Sequence, residues 1–285
     1  MTAWLTVLEP GPLTTVQDLG RRGFAHLGVP RSGALDLAAA RYANRLVGNP
    51  PDAAVLETTL GGVELAVSGA TTFAVTGAPA SVAVEGRPRP FAEPVRVAAG
   101  ETLTVGPALS GVRSYLAFAG GVDAPRVLGS RSTDTLSGLG PPRLTAGSRL
   151  PLGEPVGTPQ GADVPVVLRY PETIRIGVVP GPRLDWFGED ALSHLTSTPY
   201  TVTPRSNRVG VRLEGPPLPR RDTAELPSEG LVLGAIQVPA SGKPLVFLND
   251  HPTTGGYPVV GVVASEHLAR CAQLRPGNQI RFVHA

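Results

Sequence analysis

Charge is scarce in this chain and aromatic side chains scarcer still. Asp, Glu, Lys and Arg make up 17% of the 285 residues, and Phe, Trp and Tyr only 5%. A nucleic-acid reader ordinarily shows a concentrated basic face and stacking aromatics. Here there is no run of like charges and the formal net charge is +2, so that class is set aside. No stretch approaches the roughly 18 consecutive apolar residues of a membrane span. The single cysteine, Cys271, leaves no intramolecular disulfide and fits a reducing compartment. The opening residues, MTAWLTVLEPG, lack a basic region followed by an apolar one. No secretory signal is read there, and the expectation is a cytoplasmic protein.

Several catalytic signatures are missing as well. Gly242-Lys243 is followed by Pro244 with no glycine at the Walker spacing, so there is no P-loop. No Gly-x-Ser-x-Gly elbow occurs. The five histidines are scattered without metal-type spacing, so no metal site is expected.

What is present is punctuation. With 35 glycines and 31 prolines spread between short apolar runs, the chain reads as many short strands. Strands are expected at 4–8, 62–67, 72–76, 82–85, 95–97, 102–105, 114–119, 166–168, 173–179, 245–248, 259–263 and 279–283. A turn-plus-strand pattern recurs at 99–105, 146–152 and 276–282. Three helices are expected. One follows Ser32-Gly33, with Leu35, Ala39, Tyr42 and Leu46 on one face and a stop at Gly48. A second covers about 185–195, weakened by Gly188. A third runs from Ser265, read as its N-cap, to Leu274. Cys271 on that helix reads as a small buried hydrophobe.

The chain also echoes itself. Val7-Leu8-Glu9-Pro10-Gly11-Pro12 returns as Val178-Val179-Pro180-Gly181-Pro182, and Val29-Pro30-Arg31-Ser32-Gly33 as Val238-Pro239-Ala240-Ser241-Gly242. The intervals differ, which excludes a tandem array. Two related β-rich halves, spanning about 1–155 and 166–285, would explain it, although coincidence among so many turn residues is a rival.

Polar residues cluster on the turns. Segment 229–258 holds Glu229, Gln237, Lys243, Asn249, Asp250, His251, Thr253 and Tyr257 between strand-like runs. Lys243 is the sole lysine; every other residue among the 25 Lys and Arg is arginine. A compact ammonium can shift its pKa and approach one oxygen, which a planar guanidinium cannot match. Thr253-Thr254-Gly255-Gly256 resembles a backbone nest for anions, or else a glycine-rich hairpin. A second cluster runs from Gln17-Asp18 through Arg21 to Ser32 and Asp36. It can bind an anion at a helix N-terminus near Ser32, or be a turn salt bridge followed by a cap. The third, Arg205 to Arg212 with Arg208 at its centre, suits an anionic ligand or a solvated strand face. Asn44 and Glu57 are further candidates.

Taken together these blocks resemble the carboxyltransferase-domain subunit 2 family. They are Gln17-Asp18-x-Gly20-Arg21, Gly28-Val29-Pro30-x-Ser32-Gly33-Ala34-x-Asp36, Ala43-Asn44, Leu56-Glu57, Gly129-Ser130-x-Ser132-Thr133, Ser206-x-Arg208-x-Gly210, Ser228-Glu229-Gly230, Gln237-Val238-Pro239 and Asp250-x-x-Thr253-Thr254-Gly255-Gly256-Tyr257-Pro258. That family includes the C-subunit of bacterial 5-oxoprolinase, KipA-type antagonists and the matching half of urea carboxylase. The resemblance implies a mainly β fold of two cyclophilin-like β-barrel units with a few short helices. It also implies an obligate KipI-type partner, the B-subunit, and for 5-oxoprolinase a further A-subunit. The activity implied is ATP-dependent opening of 5-oxo-L-proline to L-glutamate, with ATP and Mg²⁺ as co-substrate. The alternatives are a carboxyltransferase half acting on urea or a related amide, and a non-enzymatic antagonist of a KipI-type kinase inhibitor. Lys243, Asp250 and Asp18 are then expected to be catalytic, with Arg208 and Arg21 as further cations. Asp18, Asp36 or Asp250 would orient the lactam N–H or Mg²⁺. Ser32, Asn44, Gln237, Thr253 and Tyr257 complete the expected substrate or phosphate contacts. The reading requires Lys243, Arg208, Asp18 and Asp250 to share one cleft. No Met-Lys-Met biotinylation site is present, so covalent biotin is not expected. The loop 138–150 departs from the family pattern and is left outside the site.

Overall fold

The computed structural model describes residues 3–161, 167–188, 190–222 and 224–285. It divides into two compact units. The first comprises residues 1–21, 32–134 and 138–170; the second takes 22–31, 135–137 and 171–285.

The first unit is built on two antiparallel sheets. Six strands pair in the order Arg149–Pro151, Trp4–Pro10, Gly61–Val67, Thr102–Ala108, Ala80–Val84 and Arg87–Arg89. Five pair in the order Leu13–Gln17, Val55–Thr59, Arg113–Phe118, Thr71–Gly77 and Val95–Val97. Strand side chains alternate between faces, so Val63, Leu65 and Val67 point inward while Gly62, Glu64 and Ala66 are more open to solvent. They meet Leu56, Phe73, Val75, Leu116 and Phe118 from the other sheet in one core.

The strand Arg113–Phe118 is buried along its whole length because both of its faces are covered. Leu116 and Phe118 enter the inter-sheet core. Tyr115 and Ala117 pack on Ala40, Ala43 and Leu46 of the helix Leu37–Leu46. That helix begins later than Ser32-Gly33 implied. The Asp36 carboxylate caps it by accepting from Ala39 N at 3.1 Å, and Gly48 at φ +76° ends it.

The second unit contains a closed seven-stranded barrel. Its order is Thr173–Pro180, Val259–Val263, Ala235–Gln237, Leu245–Phe247, Gly210–Glu214, Tyr200–Val202 and Gln279–His284. The ring shuts by parallel pairing of Gln279–His284 on Thr173–Pro180, whereas its other pairings are antiparallel. A ribbon of Glu229–Gly230 and Thr254–Gly255 stands apart from it. The expected helix at 185–195 is broken at Gly188 into a 3₁₀ turn, Leu184–Trp186, and the short helix Ala191–Ser197. Ser265 opens a 3₁₀ turn capped by Ala264, ahead of the helix Leu268–Cys271. Cys271 is buried there, and loss of water pushes its thiol up to about 12.

The chain is mainly β with a few short helices, as the sequence implied. Expected strands at 4–8, 62–67, 72–76, 95–97, 102–105, 173–179, 259–263 and 279–283 fall inside observed ones. Val166 lies outside the described residues, and Val167 and Leu168 are not in a strand. Among the described residues, no helix is long and apolar enough to cross a membrane.

Candidate functional site

In the second unit, Arg220, Leu226, Ser228, Gly256 and Tyr257 line a cleft of about 620 Å³. Its shape follows from the ribbon beside it. Glu229 pairs with Gly255 and Gly230 with Thr254, which draws the loop 226–228 against Gly256. A methyl group on Gly256 would lie 2.8 Å from Leu226 O, and one on Gly255 would lie 2.8 Å from Leu231 Cδ1. Glycine at 256 is what lets the backbone there approach that of Leu226 so closely. At 253–256, where the sequence allowed an anion nest or a glycine-rich hairpin, Thr254 and Gly255 form an extended strand paired with Glu229–Gly230.

Side chains then fix the ribbon from both ends. Buried Gln237 donates through Nε2 to Tyr257 O at 2.9 Å, holding the residue that presents a half-exposed phenol to the cleft. Thr253 contributes through its backbone, where its carbonyl accepts from Leu231 N at 2.9 Å. Arg183 grips Glu229 with two guanidinium nitrogens, Nε to Oε2 at 3.0 Å. That hydrogen bonding lowers the pKa of the Glu229 carboxyl and raises that of Arg183.

Across the cleft, Arg220 is pre-positioned. Its Nε donates to Asp222 O at 3.2 Å and its Nη2 to Ala224 O at 2.9 Å. Its guanidinium carbon sits 5.3 Å from the centre of the Trp186 ring, within cation–π range. Sequence reading missed Arg220 and Trp186. The only signal was an arginine pair at 220–221 in a proline-rich stretch.

Arg208 and Asp250, 42 residues apart in sequence, meet in the same unit with both side chains fully buried. Arg208 Nε donates to Asp250 Oδ2 at 2.9 Å and Nη2 to Oδ1 at 3.0 Å, a two-pronged pair. Thr135 N and Oγ1 donate to the same Oδ2 at 3.0 and 2.7 Å. Each of these donors is a fixed part of the fold, so the carboxylate acts here as a structural acceptor. Next to it, the His251 ring packs 5.9 Å from Phe247, and Nδ1–H donates to Pro252 O at 2.6 Å. Burial holds the His251 pKa below its ordinary value.

Lys243 is elsewhere on this unit. Its ammonium pairs with Glu214, and both side chains are about half exposed. The constellation of Lys243 with Arg208 and Asp250 therefore does not form in this structure. The polar residues around Arg208 shape the turn: Asn207 Oδ1 accepts from Val209 N, and Ser206 Oγ accepts from Arg212 N.

The remaining expected residues belong to the first unit and make two buried networks. Asp18 accepts from Gly20 N, Ser130 Oγ, Ser132 Oγ and Arg131 N at 2.6–2.8 Å. Arg21 donates to Ser32 Oγ at 3.0 Å and to the carbonyls of Val127 and Ser132. Asp18 and Arg21 thus grip the same loop without pairing with each other, and Ser32 sits at φ +53° without capping the helix. In the second network Glu57 Oε2 accepts from Tyr115 Oη at 2.9 Å and Leu35 N at 3.0 Å, beside Arg113. Asn44 donates to Ala53 O and accepts from Asn49, tying the helix to the loop after it. Among the described residues no group of three or more His, Cys, Asp or Glu is placed to hold a metal ion.

Comparison with known proteins agrees on one family. The model for the carboxyltransferase domain, subdomain A and B, matches residues 27–284. The C-subunit of 5-oxoprolinase from Escherichia coli (strain K12) is 38% identical over 98% of this chain and 90% of its own length. The urea amidolyase of Saccharomyces cerevisiae is 34% identical over 98% of this chain, which spans only 16% of that protein. The crystal structure of the K. lactis urea amidolyase superposes with a TM-score of 0.92 at 34% identity, covering 99% of this chain and 18% of the other. Sequence and structure together assign the chain to the carboxyltransferase domain family, subdomains A and B.

Proposed function

We propose that this chain is a component of a 5-oxoprolinase, opening 5-oxo-L-proline to L-glutamate with ATP alongside a KipI-type B-subunit and an A-subunit. The observation that carries this reading is the correspondence with the C-subunit of the E. coli 5-oxoprolinase along 90% of that protein. The ribbon cleft suits the substrate class. At about 620 Å³ it is of small-molecule size, and it combines a fixed guanidinium, a phenol and the Ser228 hydroxyl. Arg220 would hold the ring carboxylate, while Tyr257 and Ser228 would hydrogen-bond the lactam.

In the overall reaction the lactam oxygen takes a phosphoryl group from ATP, water adds to the activated carbon, the C–N bond breaks with protonation of nitrogen, and phosphate leaves. Electrostatic positioning is the main demand of such phosphoryl chemistry. The carboxylates of Asp18 and Asp250 are already saturated by protein donors, so residues of the partner proteins are assigned the nucleotide and Mg²⁺.

Release of L-glutamate from 5-oxo-L-proline and ATP, measured with the three components mixed, tests the reading. Arg220→Ala and Tyr257→Phe are expected to lower kcat/KM by about 10–100-fold while still assembling. The identity with urea amidolyase favours a second reading, a carboxyltransferase half acting on urea or a related amide. Urea carboxylation without glutamate release would select it. Assembly without either turnover would select the antagonist role.

A further inference from the structure

The first unit carries an open groove of about 660 Å³ whose lining includes none of the residues of the buried networks described above. Two terminal strands contribute to it. Arg89 comes from Arg87–Arg89, the end strand of the six-stranded sheet, and Arg96 from Val95–Val97, the end strand of the five-stranded sheet. Val97 and Ala119 supply buried apolar surface, and Pro155 and Pro159 line the groove as well. Thr72 lies directly opposite Arg96 in the antiparallel pair. Both arginines are exposed, and among the described residues neither has a carboxylate partner. The acid in the lining, Glu101, is already engaged, because its Oε2 accepts from Ala98 N at 2.7 Å.

We propose that this groove seats an extended, acidic segment of a partner polypeptide. A small-molecule site encloses most of its ligand. Here the polar lining side chains are exposed or half-buried, and none is buried and aimed inward. An extended segment needs no enclosure. Its alternate side chains face one way, so carboxylates on one face reach the two guanidiniums while apolar residues on the other reach Val97 and the prolines. End strands are where added chains dock, and arginine there repels indiscriminate strand pairing while admitting a chain of opposite charge.

The test is fluorescence anisotropy of the full chain with a labelled peptide alternating glutamate and valine. Saturable binding is expected, weakened at least about tenfold in the double variant R89E/R96E and suppressed by salt. The control R41E, on the exposed side of the helix Leu37–Leu46, should bind as the parent does. A lysine–valine peptide should not bind. Should R89E/R96E fail to fold by circular dichroism, Arg96→Gln alone is expected to weaken binding severalfold. Equal binding by the parent and the charge-reversed or Gln variant overturns the proposal, as does absence of saturation. Complete displacement of the peptide by inorganic phosphate also overturns it, because the groove would then be a small-anion site.

Discussion

Asp250 and Lys243 stand seven positions apart and do opposite things. Removing the Asp250 carboxylate takes away the two-pronged acceptor of the Arg208 guanidinium, which is fully buried. Breaking a buried ion pair by removing one partner costs about 3–5 kcal/mol. Asp250→Ala should therefore lower the unfolding free energy by that amount in urea titrations, and Lys243→Ala, which breaks a half-exposed pair, by no more than about 1 kcal/mol. Equal losses would mean that the burial of the first pair does not govern its energetics. The sequence marked Arg208, Asp250 and Lys243 alike, because residue type and turn context are all it displays. Partnership depends on which loop arrives, and Thr135, which completes the Asp250 shell, lies 115 residues away. Being the sole lysine is a statement about composition, and it carried no information about Glu214.

At the scale of elements, alternation made most longer strands legible, and Gly61–Val67 shows why: one face enters a core and the other does not. The ribbon strands Glu229–Gly230 and Thr254–Gly255 have two residues each, too few for any period to register. Their signal was glycine density, and that signal fitted a nest as well as a hairpin. Two glycines separate the possibilities by experiment. Gly256→Ala forces a methyl to 2.8 Å from Leu226 O and should destabilise by about 1–3 kcal/mol. Gly188→Ala meets nothing within 4 Å and needs no left-handed backbone, so it should be neutral or stabilise by up to about 1 kcal/mol. Denaturant midpoints of the two variants check both signs.

At the scale of the whole molecule, the sequence echo suggested halves at about 1–155 and 166–285; the compact units of the structure have other bounds and interleave, the second beginning in its main part at Pro171. The echoed strands Trp4–Pro10 and Thr173–Pro180 both end on the proline before a glycine. Beyond that glycine the first continues as the strand Leu13–Gln17 and the second turns into 3₁₀ helix. The exchange of segments 22–31 and 135–137 into the second unit was not legible, because tertiary contacts alone decide it.

Stability should also depend on pH through His251. Its folded pKa lies below the ordinary value near 6.5, so the unfolded chain takes up the proton first. The stabilising contribution is complete above about pH 6.5 and is lost as pH falls from there through the folded pKa. Thermal midpoints should drop over that window, and His251→Gln should flatten the drop. An unaltered slope in the variant would show that this imidazole does not contribute.

The barrel's parallel seam has a consequence for biogenesis. Residues 279–284, the last strand of the barrel to be made, must find residues 173–180, its first, so a nascent chain carries five intervening strands with no completed ring. Such long-range closure is slow, and until it happens the seam exposes unpaired amides on both sides. A ribosome-tethered intermediate lacking the final strand would accordingly be protease-sensitive throughout the second unit and prone to self-association.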